Sequence, residues 1–145
     1  MSSTWVEWQG GHLKWFMNKL ISIVALLLVL ASCTSTQPIK KLSHQQAIEA
    51  MLNDSSIVLV DVRTPQEFNE GHVSGAINIP LDTIETSFES QFQDKNVQLF
   101  IICRSGNRSA QAAVMLQKLG YTDITDIGGI LNWPQPLVQP QKIHA

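Results

Sequence analysis

One thiol, two guanidinium groups and a glycine fall within seven residues, Cys103-Arg104-Ser105-Gly106-Asn107-Arg108-Ser109. Cysteine reacts as thiolate. Thiolate is favoured beside cations and at a helix N-terminus, where unpaired N–H groups and the positive end of the helix dipole meet an anion. The flanks place Cys103 at such a junction. Gln98-Leu99-Phe100-Ile101-Ile102 is an apolar run of strand type, and Ala110 to Gly120 reads as a helix closed by glycine. A cysteine that only fills space needs no flexible, cationic neighbours. The run therefore predicts a nucleophilic cysteine where a buried strand ends and a helix begins.

Alternating strand and helix patterns must hold that junction. Ser43-His44-Gln45-Gln46 matches a capping box, after which Ala47, Ile48, Met51 and Leu52 form one helical face. Ile57-Val58-Leu59-Val60 is a short, continuous apolar run, expected of a strand covered on both faces. Thr64-Pro65-Gln66-Glu67 is a second capping box with Pro65 at the permissive first helical position, and that helix ends near Gly71. Ala76-Ile77-Asn78-Ile79 is a brief strand stopped by Pro80. Leu81 to Phe92 reads as helix, and Ile124 to Ile127 as a last strand before Gly128-Gly129. The tail from Trp133 carries Pro134, Pro136 and Pro140 and is expected to be irregular. Strands alternating with helices predict an α/β sandwich around a mainly parallel sheet.

The N-terminal part follows a different logic. Leu20 to Ala31 is apolar except for Ser22, too short to span a bilayer and of the length of a signal-peptide core, with Lys19 just before it. Leu30-Ala31-Ser32-Cys33 resembles the bacterial lipobox, which implies cleavage before Cys33 and acylation of that residue. Residues 1–32 are thus read as a signal peptide, with Met17-Asn18-Lys19 as the expected start; a long, unusual leading segment is the alternative. Residues 33–41 are read as a lipidated tether and 42–145 as the folded domain. The expected location is exported and lipid-anchored through Cys33, the domain facing the periplasm or the cell exterior. From Cys33 onward, 113 residues carry eight Lys and Arg against eleven Asp and Glu. That is enough chain for one modest core, and no basic run suggests nucleic-acid binding. With Cys33 acylated, Cys103 stays a single thiol.

Four segments in order resemble the single-domain rhodanese family of sulfurtransferases. They are Leu59-Val60-Asp61-Val62-Arg63 with Glu67-Phe68 after it; Glu70-Gly71-His72-Val73-Ser74-Gly75-Ala76-Ile77-Asn78-Ile79-Pro80; the Cys103 to Arg108 loop; and Gly120-Tyr121 with Gly128-Gly129 and Trp133. Size and the export signal are similar to the phage-shock-protein E type. The resemblance implies a three-layer sandwich with a mainly parallel five-stranded sheet. It also implies a double displacement. Cys103 takes the outer sulfur of thiosulfate or a similar donor as a persulfide, then passes it to a thiophilic acceptor such as cyanide or a thiol. A persulfide carrier or regulatory module acting on a protein partner is the alternative reading.

In that frame Ser105, Gly106 and Asn107 curl the loop so that several backbone N–H groups face the sulfur. Arg104 and Arg108 hold the anionic donor. Cysteine-dependent phosphatases resemble this loop but place five residues between cysteine and arginine. Here Arg108 follows Cys103 after four, and Ser109 stands in the phosphatase position. Arg63 is carried as a further binding candidate, although pairing with Glu67 or Glu70 is the favoured role. His72 is read as a turn histidine bonded to backbone. No cofactor is implied, and no Cys and His cluster has metal-ligand spacing.

Overall fold

The computed structural model describes Lys19 and residues 37–139; the signal-peptide, lipobox and tether readings at Met17, Cys33 and Thr34 lie outside the described residues. Five strands, β1 (Lys40–Lys41), β2 (Val58–Asp61), β3 (Ile77–Asn78), β4 (Leu99–Cys103) and β5 (Ile124–Gly129), pair in the order β1-β5-β4-β2-β3. All four pairings are parallel. Helices α1 (His44–Asn53), α2 (Pro65–Glu70), α3 (Ile84–Gln91) and α4 (Asn107–Lys118) connect them. The α/β, five-stranded expectation is met.

Period-two alternation along the strands splits the core into two apolar layers. Leu99, Ile101 and Cys103 of β4 join Val60 and Val62, and pack against Ile84 and Phe88 of α3 and Ala112, Ala113 and Leu116 of α4. Phe100 and Ile102 point the other way, into a layer with Leu59, Ile127 and Ala47 of α1. Every residue of β4 is buried, as its unbroken apolar run requires of a central strand covered twice. Both expected capping boxes form, Ser43 with Gln46 and Thr64 with Glu67.

Three local differences have physical causes. Lys40–Lys41, placed in the polar tether by composition, instead pairs with Thr125 and Asp126 as an edge strand; a two-residue edge needs no apolar face. The helix expected over Leu81 to Phe92 opens with a 3₁₀ turn at Leu81–Thr83, closed by the Thr83 N–H donating to the Pro80 carbonyl at 2.9 Å, with no side chain capping the start. The tail turns back, and Val138 exchanges backbone hydrogen bonds with His72 at 2.8 and 2.9 Å.

The strand order puts the active edge where theory expects one. From β2 the chain moves outward to β3; from β4 it moves the opposite way to β5. The carboxyl ends of β2 and β4 therefore flank a topological switch point, the crevice where open α/β sheets bind ligands.

Phe88 is fully buried between Phe92 and an edge-on Tyr121. Phe88→Ala is expected to cost roughly 3–5 kcal/mol of stability, read from urea unfolding, because the site cannot close around the lost ring.

Candidate active site at the switch point

β4 delivers Cys103 to the crevice, with its residue surface 1% exposed and its thiol free. The chain then curls through Arg104 and Ser105. Gly106, at φ +99°, stands just before α4 and donates its N–H to Cys103 Sγ at 3.1 Å. A side chain would strain that left-handed conformation. Buried Ser109 ties down the first turn of α4 by donating to the Gly106 carbonyl at 3.0 Å. The loop is held from outside by β5. A Cβ on Gly129 would lie 2.5 Å from the Arg104 carbonyl oxygen and from Ser105 Cα, so only glycine permits this approach. A one-residue bulge sets it up: Ile101 opposes Asp126 but Ile102 opposes Gly128. Asp126 Oδ1 accepts from Gly128 N–H at 3.0 Å and fixes the bulge.

The three arginines have three different environments. Arg63 does not pair with Glu67 or Glu70, the partners expected for it. Its side chain lies along Asp61, donating through Nε and Nη2 to Oδ2 at 2.9 and 2.8 Å, and Nη2 also reaches the Gly71 carbonyl at 2.7 Å. Asp61 and Arg63 are both buried. The spacing Asp-x-Arg at a strand end puts both side chains on one side, the signal that would have found this pair.

Arg108 is likewise committed. Its two terminal nitrogens donate to Glu67 Oε2 and Oε1 at 2.7 and 2.8 Å, a two-pronged ion pair joining the starts of α2 and α4. Glu67 also accepts from Thr64 N–H at 3.1 Å in the α2 cap. Arg104 alone of the three is exposed and forms no ion pair among the described residues.

Of the remaining expected residues, Ser105 is exposed in the loop, while Asn107 is exposed at the first position of α4, which begins three residues earlier than the sequence suggested, and its Oδ1 accepts from Gln111. The curl aims the Gly106 N–H at the sulfur within hydrogen-bond distance, where several such groups were anticipated. His72 bonds the Phe68 carbonyl through Nδ1 at 2.9 Å and stacks on Phe68, in keeping with a turn histidine.

Beside the loop lies a cleft of about 340 Å³ lined by Arg63, Glu67, Glu70, Gly71, Arg104, Ile130, Leu131 and Leu137. The apolar wall escaped sequence reasoning. Leu131 comes from the 3₁₀ turn Ile130–Asn132, whose Leu131 N–H donates to the Arg104 carbonyl at 3.3 Å. Leu137 comes from the proline-rich tail, brought in by the Val138–His72 bridge.

The paired carboxylate has a pH signature. Hydrogen bonds from Arg108, assisted by those from Thr64, hold Glu67 down from the usual 4.5 to about 2 against the opposing effect of burial. Water reaches about a fifth of Glu67 and somewhat more of Arg108, screening the pair to roughly 1–2 kcal/mol. Because the folded value is depressed, that stability is complete above the ordinary value and is lost as pH falls toward the folded one. Glu67→Gln should therefore unfold at lower urea than the parent at neutral pH. The gap should narrow as pH drops from about 5 to about 3, where the parent carboxyl takes up a proton only in the unfolded chain.

Comparison with known proteins agrees with this architecture. The family model described as "Rhodanese-like domain" matches residues 44–135. The thiosulfate sulfurtransferase PspE of Escherichia coli K12 is 36% identical over 80 residues, covering 55% of this chain and 77% of that protein. The thiosulfate sulfurtransferase GlpE of Tolumonas auensis is 36% identical over 94 residues, covering 64% of this chain and 86% of that one. The solved structure of a rhodanese with anions from E. coli superposes with a TM-score of 0.54 at 34% identity, over 58% of this chain and 99% of that chain. With the thiol loop, the strand order and the matched span in agreement, the chain belongs to the rhodanese-like domain family.

Proposed function

We propose that this protein is a sulfurtransferase that carries a sulfane sulfur on Cys103. The observation that carries the reading is the Cys103 sulfur accepting the Gly106 N–H at 3.1 Å, directly before the first turn of a 12-residue helix. A backbone donor and the positive end of a helix dipole both favour an anionic sulfur, and a terminal persulfide is such an anion. The four-residue spacing to Arg108 favours a cradle for one sulfur atom over a phosphatase loop. PspE and GlpE bear the name thiosulfate sulfurtransferase, which supports a sulfane-sulfur donor of that class.

The reaction balances in two displacements. Cys103 thiolate attacks the outer sulfur of thiosulfate; the S–S bond breaks and its electron pair leaves with sulfite. An acceptor nucleophile, cyanide or a thiol, then attacks the terminal sulfur of the persulfide and returns the thiolate. With cyanide the product is thiocyanate. Neither step needs a general base once the thiolate exists. Intact-mass analysis after thiosulfate treatment should show one added sulfur, removed by cyanide. Cys103→Ser should show neither the added mass nor thiocyanate release; turnover persisting in that variant would refute the persulfide.

Export and anchoring belong to the same proposal. The apolar run Leu20 to Ala31 and the lipobox-like Leu30-Ala31-Ser32-Cys33 support a lipid anchor at Cys33. An acylated Cys33 would hold the domain at the membrane on the periplasmic or outer side, since two or more chains suffice for stable attachment. Mass spectrometry of the mature protein is expected to find acylated Cys33 as its first residue, and Cys33→Ser to leave an uncleaved precursor. A soluble form with an unacylated terminus elsewhere would remove the anchor.

A further inference from the structure

Parallel pairing gives the sheet two unlike edges, since every strand starts on one and ends on the other. Cys103 closes β4 on the carboxyl edge, with the exposed Leu131 and Leu137 beside its loop. The chain enters from the amino edge. Lys40 opens β1 opposite Thr125, near the start of β5, and Ile39 before it packs against the core. Gln37 is held further back, its carbonyl accepting from Gln117 Nε2. Gln117 stands near the far end of α4, roughly 15 Å along the axis from Asn107 and the thiol loop. Cys33 precedes Gln37 by four residues, which span at most about 14 Å however they run.

An acylated Cys33 sits at the bilayer surface. Turning the thiol loop onto the bilayer would lift Gln37 by those 15 Å and by the depth of Arg104 and Ser105 beyond Asn107. A fully stretched tether falls short of that, and stretching it forfeits its conformational entropy. With the amino edge toward the bilayer, no stretching is needed. Charge does not decide the orientation. Lys41 and Lys118, exposed near the entry side and outside any ion pair among the described residues, suit an anionic bilayer, but exposed Asp54 and Asp94 lie on the same edge. The length of the tether does.

We propose, resting on the sulfurtransferase and lipid-anchor readings above, that the amino edge of the sheet is the bilayer-facing surface and that the Cys103 mouth opens into the aqueous compartment. The thiol then trades sulfur with water-borne donors and acceptors, and not with a thiol held in the lipid headgroup layer. Leu131 and Leu137 meet such water-borne partners, since the same tether keeps them off the acyl chains. In the discharge step an acceptor thiolate R–S⁻ attacks the terminal sulfur of the Cys103 persulfide. The S–S bond breaks, its electron pair returns to Cys103 as thiolate, and the acceptor leaves as its own persulfide, R–S–S⁻ once its proton is lost to water.

The test uses the lipidated chain purified from membranes, loaded with sulfur from thiosulfate and reconstituted in phosphatidylcholine vesicles. Loss of the added sulfur, read by intact mass, is followed with two acceptors. One is glutathione in solution; the other is phosphatidylthioethanol in the same vesicles, whose thiol sits in the headgroup layer. A second chain carries a flexible Gly-Ser spacer of about ten residues between Thr36 and Gln37, which adds roughly 33 Å of reach and lets the loop meet the bilayer. Glutathione should discharge both chains at the same rate. The lipid thiol should discharge the spacer chain about tenfold faster than the parent, because a tether too short to span gives almost no effective concentration. Equal lipid-thiol rates in the two chains would overturn the orientation. A second measurement needs no sulfur. On a Cys103→Ser background, a bimane label is placed at Glu70→Cys on the carboxyl edge or at Gln93→Cys on the amino edge, both exposed positions. Nitroxide-headgroup lipid should quench the Gln93 label more strongly, and quenching as strong at Glu70 would likewise overturn the orientation. A mature chain without acylated Cys33 would instead overturn the anchor, and failure of thiosulfate to add sulfur would overturn the sulfurtransferase reading.

Discussion

A buried guanidinium must meet its counter-charge before the carboxyl edge of this sheet can be arranged, and the Asp61–Arg63 pair meets that requirement. Leaving either charge unpaired in the interior would cost several kcal/mol. The pair does more than neutralise itself. Arg63 reaches on to the Gly71 carbonyl, and Asn78 donates to the carbonyls of both Asp61 and Arg63 at 2.9 and 2.8 Å, locking the end of β2 to its neighbour β3. With Gly71 held, His72 is placed to bridge Val138, and the tail supplies Leu137. The apolar wall of the cleft thus traces back, contact by contact, to one ion pair on the strand beside the thiol.

Residue type alone does not assign the arginines their work. Arg63 is buried and structural. Arg108 sits at the helix start but spends its fork on a carboxylate. Arg104 remains available to solvent and ligand. Position in the fold produced three roles from one side chain, and the electrostatic character of the site follows from that division more than from the number of cations.

Sequence reading reached the elements whose causes are local. Capping boxes, the Pro65 helix start and the buried β4 run depend on residues within a few positions of one another, and each appears where it was expected. The Cys103 loop was legible for the same reason, since strand, glycine and helix adjoin. Partners across the fold were not legible. Glu67 and Arg108 are 41 residues apart, and a helix-start glutamate offers no sign that it will also answer a distant cation. The β5 bulge and the Gly129 approach were likewise hidden, because a bulge shows in the pairing of two strands and not in either one. Arg63 has the structural pairing that was favoured for it, but with Asp61 two residues before it and not with Glu67 or Glu70, because parity at the strand end sets its neighbour.

Glu67 belongs at once to the Thr64 cap and to the Arg108 ion pair. One carboxylate therefore binds the folding of a short, otherwise unburied helix to the electrical state of the thiol loop. Thr64 and Arg108 lie on different elements, yet substitutions at them cannot be independent, since both hold the Glu67 carboxylate. A lineage that altered the loop arginine would lose part of a helix start along with it, and one that altered the cap would disturb the loop. This shared joint makes the loop and α2 a single heritable unit, open to change only by compensating steps taken on both sides.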